Sequence, residues 1–300
     1  MRILLTGGSG FIGRNLLETL RNKHEVFAPS HEALDVTDTG AVDRVFRERR
    51  FDAVLHAAVQ GGTGVLEGTL RGYWNLARHA GDVGRLFYFG SGAEYGKQRD
   101  LVKVREDEIG RCVPADAYGL AKLLCNEDAR RRARITNLRL FGVYGPHEGY
   151  LFRFISNSIV KTLLKMDIVV RQDVVFDYLY VDDLIRVVER FLERDPDLSD
   201  VNLTPTESIS LRQILAIISS VSSFRPRVHF ENEGLNHQYT GDNGRLLEAL
   251  PDFRFLPCEE GIRRLYEHYA SRPETLDRDA VVRDDYFARS RPRTSDLRAD

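Results

Sequence analysis

The chain has 300 residues, which is enough for one large domain or two lobes with a sizeable core. Its formal net charge is −2, with 42% apolar and 29% charged residues, so no global field draws it to nucleic acid or to an anionic membrane. The three cysteines show neither metal-ligand nor disulfide spacing, which predicts a reducing, cytoplasmic location. No segment approaches the ~18 apolar residues of a membrane span, and the first apolar run is too short for a signal peptide.

The first half of the chain alternates short β-branched runs with longer helical patterns. Strands are predicted at 2–6, 24–29, 51–58, 84–91 and 135–145. Helices are predicted at 11–22, 37–50, 64–80 and 117–133. This alternation predicts an α/β fold, a Rossmann-type doubly wound parallel sheet with helices on both faces.

The pattern becomes less regular after Gly145. Helices are predicted there at 150–165, 179–194 and 209–223, and strands at 168–172 and 227–231. We therefore expect a smaller α/β lobe over the sheet. The predicted division of the chain is 1–147 with 174–200 for the dinucleotide-binding domain, 148–173 with 201–276 for the substrate lobe, and 277–300 for a charged tail. The tail is rich in Arg and Asp and poor in apolar residues, so it is expected to be loosely held or disordered.

A glycine-rich turn, TGGSGFIG, joins the first predicted strand to the first helix. Gly8, Gly10 and Gly13 have the G-x-G-x-x-G spacing, and Gly7 lies three residues before Gly10. Glycines at these positions permit a tight turn and let the backbone approach a pyrophosphate, which the helix N-terminus then binds. The strand–turn–helix context predicts a dinucleotide cofactor.

The end of the second predicted strand indicates which dinucleotide is bound. NAD enzymes usually place an acid there for the ribose 2′-hydroxyl, whereas this strand end reads APSHE and includes Ser30. Arg14, just after the glycine turn, could reach a 2′-phosphate. These features favour NADP, and NAD stays open because Glu32 lies close by in the sequence.

Tyr118 and Lys122 are four residues apart at the start of a predicted helix, so they share one helix face. A nearby ammonium favours a phenolate and lowers the pKa of the phenol from about 10, which indicates a general acid/base. Alone, this spacing is more typical of an ordinary surface helix. Ser91 ends the fourth predicted strand, where its hydroxyl could share a substrate oxygen with Tyr118.

Several segments follow the order found in extended short-chain dehydrogenase/reductases. They are TGGSGFIG, LDVTD, HAA, SGAEYG, YGLAK, LRLFGVYGP and FDYLYVDD. Over about residues 1–270 the chain resembles the NAD(P)-dependent nucleotide-sugar epimerase, dehydratase and reductase branch of that family. The resemblance implies an enzyme with a nucleotide-sugar substrate. It also implies a homodimer formed through the helices around 65–80 and 118–134.

The resemblance implies roles for individual residues. The catalytic residues would be Ser91, Tyr118 and Lys122. Contacts with the cofactor would come from Gly7, Gly10, Phe11, Ile12, Gly13, Asp35, Val36, Ala57, Ala58, Tyr118, Lys122, Phe141 and Val143. Asn157 and the loop from Arg171 to Asp177 would face the nucleotide half of the substrate.

Three departures from the family pattern narrow the chemistry. Gly92 and Ala93 stand where sugar 4,6-dehydratases carry an Asp-Glu pair, so elimination is not expected. The cysteine that GDP-fucose synthases place at position 93 is also missing. Phe176 replaces the usual Arg, which leaves Arg153 and Arg171 as candidate contacts for the substrate pyrophosphate.

Glu94 brings a charge to a position that is usually apolar, where it could contact a sugar hydroxyl or face solvent. The predicted function is NAD(P)H-dependent reduction of a nucleotide-linked 4-keto sugar, with hydride transfer to C4 and Tyr118 as proton donor. A nucleotide-sugar 4-epimerase with bound NAD is the alternative in the same fold. A reductase of a non-sugar ketone and a non-catalytic dinucleotide sensor are further alternatives. No metal, nucleic-acid or membrane partner is predicted.

Overall fold

The computed structural model describes residues 1–59 and 61–291. Its strands are β1 (Arg2–Thr6), β2 (Glu25–Phe27), β3 (Ala53–His56), β4 (Arg85–Ser91), β5 (Leu101–Val104), β6 (Ile135–Leu140), β7 (Gly142–Tyr144), β8 (Ile168–Asp173), β9 (Val175–Phe176), β10 (Tyr178–Tyr180), β11 (Asp200–Leu203), β12 (Ile209–Ser210), β13 (Val228–Leu235) and β14 (Tyr239–Gly241). Six of them form the central sheet, in the order β11–β6–β4–β3–β1–β2 with every pair parallel.

The helices cover both faces of this sheet. They are α1 (Phe11–Leu20), α2 (Thr39–Glu48), α3 (Val65–Ala77), α4 (Ala117–Ala129), α5 (Phe154–Leu163), α6 (Val181–Glu193), α7 (Leu211–Val221), α8 (Gly244–Ala249), α9 (Cys258–Ala270), α10 (Arg278–Val282) and α11 (Asp285–Arg289). Among the described residues, no helix has both the length and the hydropathy that a membrane span requires.

Side-chain alternation along the strands explains the layers. In β1, Ile3 and Leu5 enter the apolar cluster beneath α1 and α6, whereas Leu4 enters the cluster beneath α2, α3 and α4. Successive side chains of a strand point to opposite faces, so a strand with apolar residues at every position must be covered on both sides. The structure confirms the predicted Rossmann-type parallel sheet.

The strand order places a crevice at the carboxyl end of β1. The strands β2 and β3 lie on opposite sides of β1, so the connections that leave β1 and β2 run in opposite directions across the sheet. In open α/β sheets such a reversal opens the crevice in which ligands bind. The glycine turn follows β1, and Ser91 ends β4 at the same edge of the sheet.

A second part of the structure packs around its own apolar cluster. Side chains from α5, α7, α9, β8 and β10 form this cluster, and β13 pairs with β8 in parallel. Sequence analysis did not predict α9. The residue boundaries proposed above for the two lobes stay a prediction.

The predicted strand at 135–145 is two strands in different sheets. The first, β6, belongs to the central sheet and ends at Leu140, while β7 pairs with β10. A Cβ atom on Gly142 would lie 2.8 Å from the carbonyl oxygen of Asp177, so β7 approaches the neighbouring backbone closely. One apolar run of the sequence therefore provides two strands that pair in different sheets.

The expectation of a loose tail is wrong for residues 277–291. Both α10 and α11 lie there, Val281 is 1% exposed within the second cluster, and Asp284 pairs with Lys161. Val281 and Tyr286 pack against the lobe although Val282 is exposed, and Asp284 has the buried Lys161 as its partner, so low mean hydropathy does not prevent packing. Residues 292–300 of the predicted tail lie outside the described residues.

The buried His56, at the end of β3, makes the stability of the folded chain depend on pH. Its Nδ1 lies 2.7 Å from Thr6 Oγ1, and burial lowers its pKa from 6.5 to about 3. Below pH 6.5 the unfolded chain binds a proton that the folded chain does not, so the folded state loses stability as pH falls toward 3. At pH 5 this costs about 2 kcal/mol.

We expect His56→Asn to reduce the difference between the unfolding free energies at pH 7 and pH 5 by about 2 kcal/mol. Urea unfolding of the wild type and the variant at both pH values measures this. His229→Asn, at an exposed position, is the control and should leave the difference unchanged. Equal behaviour of the two variants would show that His56 does not carry the acid dependence.

Candidate active site

The glycine turn is shaped by contacts that leave no space for side chains. A Cβ on Gly13 would lie 2.0 Å from the carbonyl oxygen of Gly7, and a Cβ on Gly7 would lie 2.6 Å from the amide nitrogen of Ala58. Gly7 also has φ +75°, a conformation that favours glycine. The turn therefore holds α1 against the ends of β1 and β3, with the N-terminus of α1 open to the crevice.

A groove of about 730 Å³ runs along this turn. Residues predicted to bind the cofactor that line it are Gly7, Gly10, Phe11, Ile12, Gly13, Val36, Ala57, Ala58 and Tyr118. At this turn the backbone N–H groups at the N-terminus of α1 are not covered by side chains. A pyrophosphate of a nicotinamide dinucleotide can therefore approach the backbone closely, in space that a Cβ atom would occupy.

A smaller cavity of about 240 Å³ adjoins the groove through His31, which lines both. Asp35 and Arg71 also line it. The Asp35 carboxylate accepts hydrogen bonds from the N–H and the hydroxyl of Thr37, each at 2.8 Å, and these bonds hold the pKa of Asp35 below its ordinary value. Ser30 is exposed and lines neither the groove nor this cavity, and its Oγ accepts the N–H of Ala33.

The structure places Arg14 away from this groove, so its assignment to a 2′-phosphate is wrong. Its Nε pairs with Glu18 at 3.1 Å, and it lines a separate cavity together with His147 and Arg272. The reason is helical geometry, because position 14 faces the side of α1 that carries Glu18, one turn further on.

The three predicted catalytic residues converge on one cavity of about 480 Å³. Ser91 ends β4, while Asp116 caps α4 by accepting the N–H of Gly119 and so sets the start of the helix that carries Tyr118 and Lys122. Lys122 Nζ donates to the carbonyl oxygen of Phe89 at 2.7 Å. Phe141 and Val143 line the same cavity.

The pKa of Tyr118 moves opposite to the predicted direction. Burial raises it above its ordinary value of 10, and the hydrogen bond with Ser91 only partly opposes this. The Lys122 ammonium lies 4.4 Å from the ring centroid of Tyr88 and 5.8 Å from that of Tyr118, and burial lowers its own pKa to about 8. Tyr118 is therefore a protonated phenol at neutral pH, which suits a proton donor.

Sequence analysis missed Tyr239, whose hydroxyl lies 3.5 Å from Ser91 Oγ. Its side chain is buried and lines the catalytic cavity, and a Cβ on Gly92 would lie 2.7 Å from the hydroxyl. Tyr239 reaches this place because β14 pairs with β5 and β9 beside the cavity. Neither a motif nor a spacing in the sequence links position 239 to the catalytic residues.

Glu94 neither contacts the cavity nor faces solvent, so both expectations for it are wrong. Its side chain is fully buried and accepts the N–H of Ser91 at 2.9 Å. Arg139 Nε donates to the other carboxylate oxygen at 2.7 Å, and Arg139 also pairs with Asp200. Asn137 donates to Glu94 as well. The charge at this unusual position therefore supports the loop that carries Ser91.

The predicted substrate residues separate into two groups. Arg153 lines both the groove and the catalytic cavity. Arg171 pairs instead with Glu231 and lies over the ring of Phe287, 3.8 Å from its centroid, so its predicted contact with substrate is wrong for this conformation. Asn157 is 2% exposed within α5, and its Nδ2 has no hydrogen-bond partner among the described residues. Asn157 is not among the residues that line the cavity.

The site combines a glycine-rich turn that fits a pyrophosphate with a set of Ser, Tyr and Lys side chains in the adjoining cavity. On a Rossmann fold, these two features together define a dinucleotide-dependent oxidoreductase. Residues 3–203 match the profile of the NAD dependent epimerase/dehydratase family. The chain belongs to this family, and it is an NAD(P)-dependent enzyme of the extended short-chain dehydrogenase/reductase type.

Curated relatives cover nearly the whole chain. GDP-6-deoxy-D-talose 4-dehydrogenase of Aggregatibacter actinomycetemcomitans is 27% identical over 89% of this chain and 98% of its own length. ADP-L-glycero-D-manno-heptose-6-epimerase of Pseudomonas paraeruginosa is 27% identical over 96% of this chain and 95% of its own.

Solved structures share the fold. UDP-glucose 4-epimerase of Thermotoga maritima has a TM-score of 0.77 at 22% identity, covering 92% of this chain and all of the other. GDP-mannoheptose C4 reductase of Campylobacter jejuni also has a TM-score of 0.77, at 18% identity over 89% of this chain and 98% of its own.

We expect Glu94→Gln to lower the free energy of unfolding by about 3 kcal/mol, because it removes one charge of a buried pair and leaves Arg139 undercompensated. Guanidinium unfolding measures the loss. The control is Glu67→Gln, which makes the same change in an exposed pair with Arg71 and should cost less than about 1 kcal/mol. Equal losses in the two variants would contradict a structural role for the buried charge.

Proposed function

We propose that the protein reduces the 4-keto group of a nucleotide-linked sugar with NADPH. The observation that carries the proposal is that Ser91, Tyr118 and Lys122 line one cavity next to the glycine groove, where Tyr118 is a protonated phenol. A reduced nicotinamide supplies a hydride to the carbonyl carbon. Tyr118 donates its proton to the carbonyl oxygen, which Ser91 orients, and so the ketone becomes a secondary alcohol.

The residues around Ser91 favour simple reduction over elimination. Gly92 and Ala93 carry no acid or base, and the nearby carboxylate of Glu94 is engaged by Arg139. A relative named for dehydrogenation at position 4 of a GDP-linked deoxysugar supports the same reaction class, since that oxidation is the reverse of the reduction proposed. Both directions need one tyrosine to exchange a proton with the oxygen on C4.

Two cations are available for the diphosphate of the substrate. Arg153 and Lys97 both line the catalytic cavity, and Phe176 stands where the family usually has a third. Burial raises the pKa of Glu148, in the same cavity, to about 7, so this carboxyl is partly protonated near neutral pH and repels a diphosphate less.

The residues after β2 support NADPH as the cofactor. Ala28, Pro29, Ser30 and His31 carry no negative charge that would repel a 2′-phosphate. His31 and Arg71 line the small cavity beside the groove together with the acids Asp35 and Glu67, so the Arg71 guanidinium, which pairs with exposed Glu67 at 3.3 Å, would have to exchange that partner for a 2′-phosphate.

We also propose a homodimer formed through α3 and α4. Trp74 on α3 is 42% exposed and Leu124 on α4 is 39% exposed, although both are large apolar residues. The two helices are adjacent, since Tyr73 of α3 donates its hydroxyl hydrogen to Asp128 of α4. Burying these side chains against a second copy would remove apolar surface from water.

We expect Tyr118→Phe to reduce kcat by a factor of about 10²–10⁴, because the proton donor is lost, while the Kd for NADPH stays within about twofold. The assay follows NADPH oxidation with a panel of 4-keto nucleotide sugars, and calorimetry gives the Kd. Tyr73→Phe removes a hydroxyl outside the cavity and is the matched control. A fully active Tyr118→Phe enzyme would overturn the mechanism, and a wild type that binds NADPH without reducing any ketone would indicate a sensor.

We expect the protein, purified without added nucleotide, to bind NADPH about tenfold more tightly than NADH, since a guanidinium can pair with the 2′-phosphate. Arg71→Ala should reduce this preference, whereas Arg14→Ala, in the other cavity, should not. Mass spectrometry of nucleotide released by denaturation is the complementary measurement. Near-stoichiometric NAD in the purified protein would favour the 4-epimerase instead.

A further inference from the structure

The last described segment of the chain, 277–291, contributes the side chain of Tyr286 to the catalytic cavity. Tyr286 of α11 lines that cavity together with Phe152, Phe154 and Phe176. The ring centroids of Tyr286 and Phe154 lie 5.6 Å apart. Tyr286 is thus part of the same cavity as Ser91, Tyr118 and Lys122.

Several interactions fix this segment in place. Lys161, which is 3% exposed, pairs with Asp284 at 2.6 Å, directly before α11. Phe287 lies beneath the guanidinium of Arg171, and Arg289 lies 4.2 Å from the ring centroid of Phe152. In addition, α10 packs in the second apolar cluster through Val281. Together these contacts fix the segment to the lobe.

The side of the cavity next to the second apolar cluster is aromatic, since Phe154 and Tyr286 belong to that cluster and also line the cavity. In the proposed function the sugar lies at Ser91 and the diphosphate meets Arg153, which leaves this side of the cavity for the nucleoside. Planar rings such as Tyr286 and Phe154 suit a nucleobase, because every base has a π face that stacks on an aromatic side chain. Burial raises the pKa of Tyr286 to about 12, so its ring is neutral there.

We propose that Tyr286, presented by the segment 277–291, binds the nucleobase of the substrate and so contributes to substrate affinity without taking part in hydride transfer. This inference rests on the proposed function for the identity of the substrate. It assigns a binding role to a segment whose composition indicates a loose tail.

The test compares wild type, Tyr286→Ala and Tyr286→Phe. KM and kcat are measured with a 4-keto nucleotide sugar, and calorimetry gives Kd for UDP, GDP, ADP and dTDP and for NADPH. Tyr286→Ala should raise KM and the Kd of the preferred nucleoside diphosphate about tenfold, with kcat and the Kd of NADPH nearly unchanged. Tyr286→Phe, which keeps the ring, should recover most of the lost affinity.

Tyr266→Ala is the matched control, since it removes an equally large ring that packs on the same apolar cluster and bonds Ser222 rather than lining the cavity. A similar loss of affinity in this variant would indicate general loosening of the lobe and overturn the inference. An unchanged or lower KM in Tyr286→Ala would do the same and leave the proposed function standing.

The two proposals fail separately. If the wild type reduces no nucleotide-linked ketone, yet binds a nucleoside diphosphate through a site that Tyr286→Ala weakens, the proposed function is wrong and the inference holds. If the wild type binds none of the four nucleoside diphosphates, the inference is overturned.

Discussion

Arg139 places a positive charge inside the central sheet with no exposed surface, and the catalytic end of the molecule is organised around compensating it. Glu94 and Asp200 supply the negative charges, from the loop after β4 and from β11. The same guanidinium donates to Asn126 of α4 at 2.9 Å. Because Glu94 also accepts the N–H of Ser91, the serine loop and the helix of the other two catalytic residues are fixed to one buried cation. A buried charge of this kind costs several kcal/mol unless every partner is in place, so it enforces one arrangement.

Exclusion of water from the neighbouring cavity also shifts the pKa values of the side chains that line it. Burial raises the pKa of Tyr118 further above its ordinary value of 10 and lowers the pKa of Lys122 to about 8. A neutral donor and a cation of reduced pKa in the same cavity are suited to passing a proton to an oxygen that is gaining negative charge.

What the sequence could predict depended on local spacing. The glycine turn, the Tyr118–Lys122 pair and the parallel sheet follow from residues a few positions apart or from strand–helix alternation. Glu94 and Tyr239 could not be placed this way, because their partners lie 45 and 148 positions away, at Arg139 and Ser91. The direction of the Tyr118 pKa also depended on burial, which a spacing does not give. Composition failed for the tail, since single contacts such as the one between Asp284 and Lys161 decide its packing.

The position of the segment 277–291 has a consequence for how such an enzyme can change over time. The glycine turn, Ser91 and α4 are encoded in roughly the first half of these 300 residues, whereas Tyr286 is encoded about 150 codons after α4. Mutations, insertions or recombination in the codons for 277–291 can therefore change one side of the cavity and leave the glycine turn, Ser91 and α4 untouched. Under the functions proposed above, reactivity and choice of substrate are then separable units of inheritance.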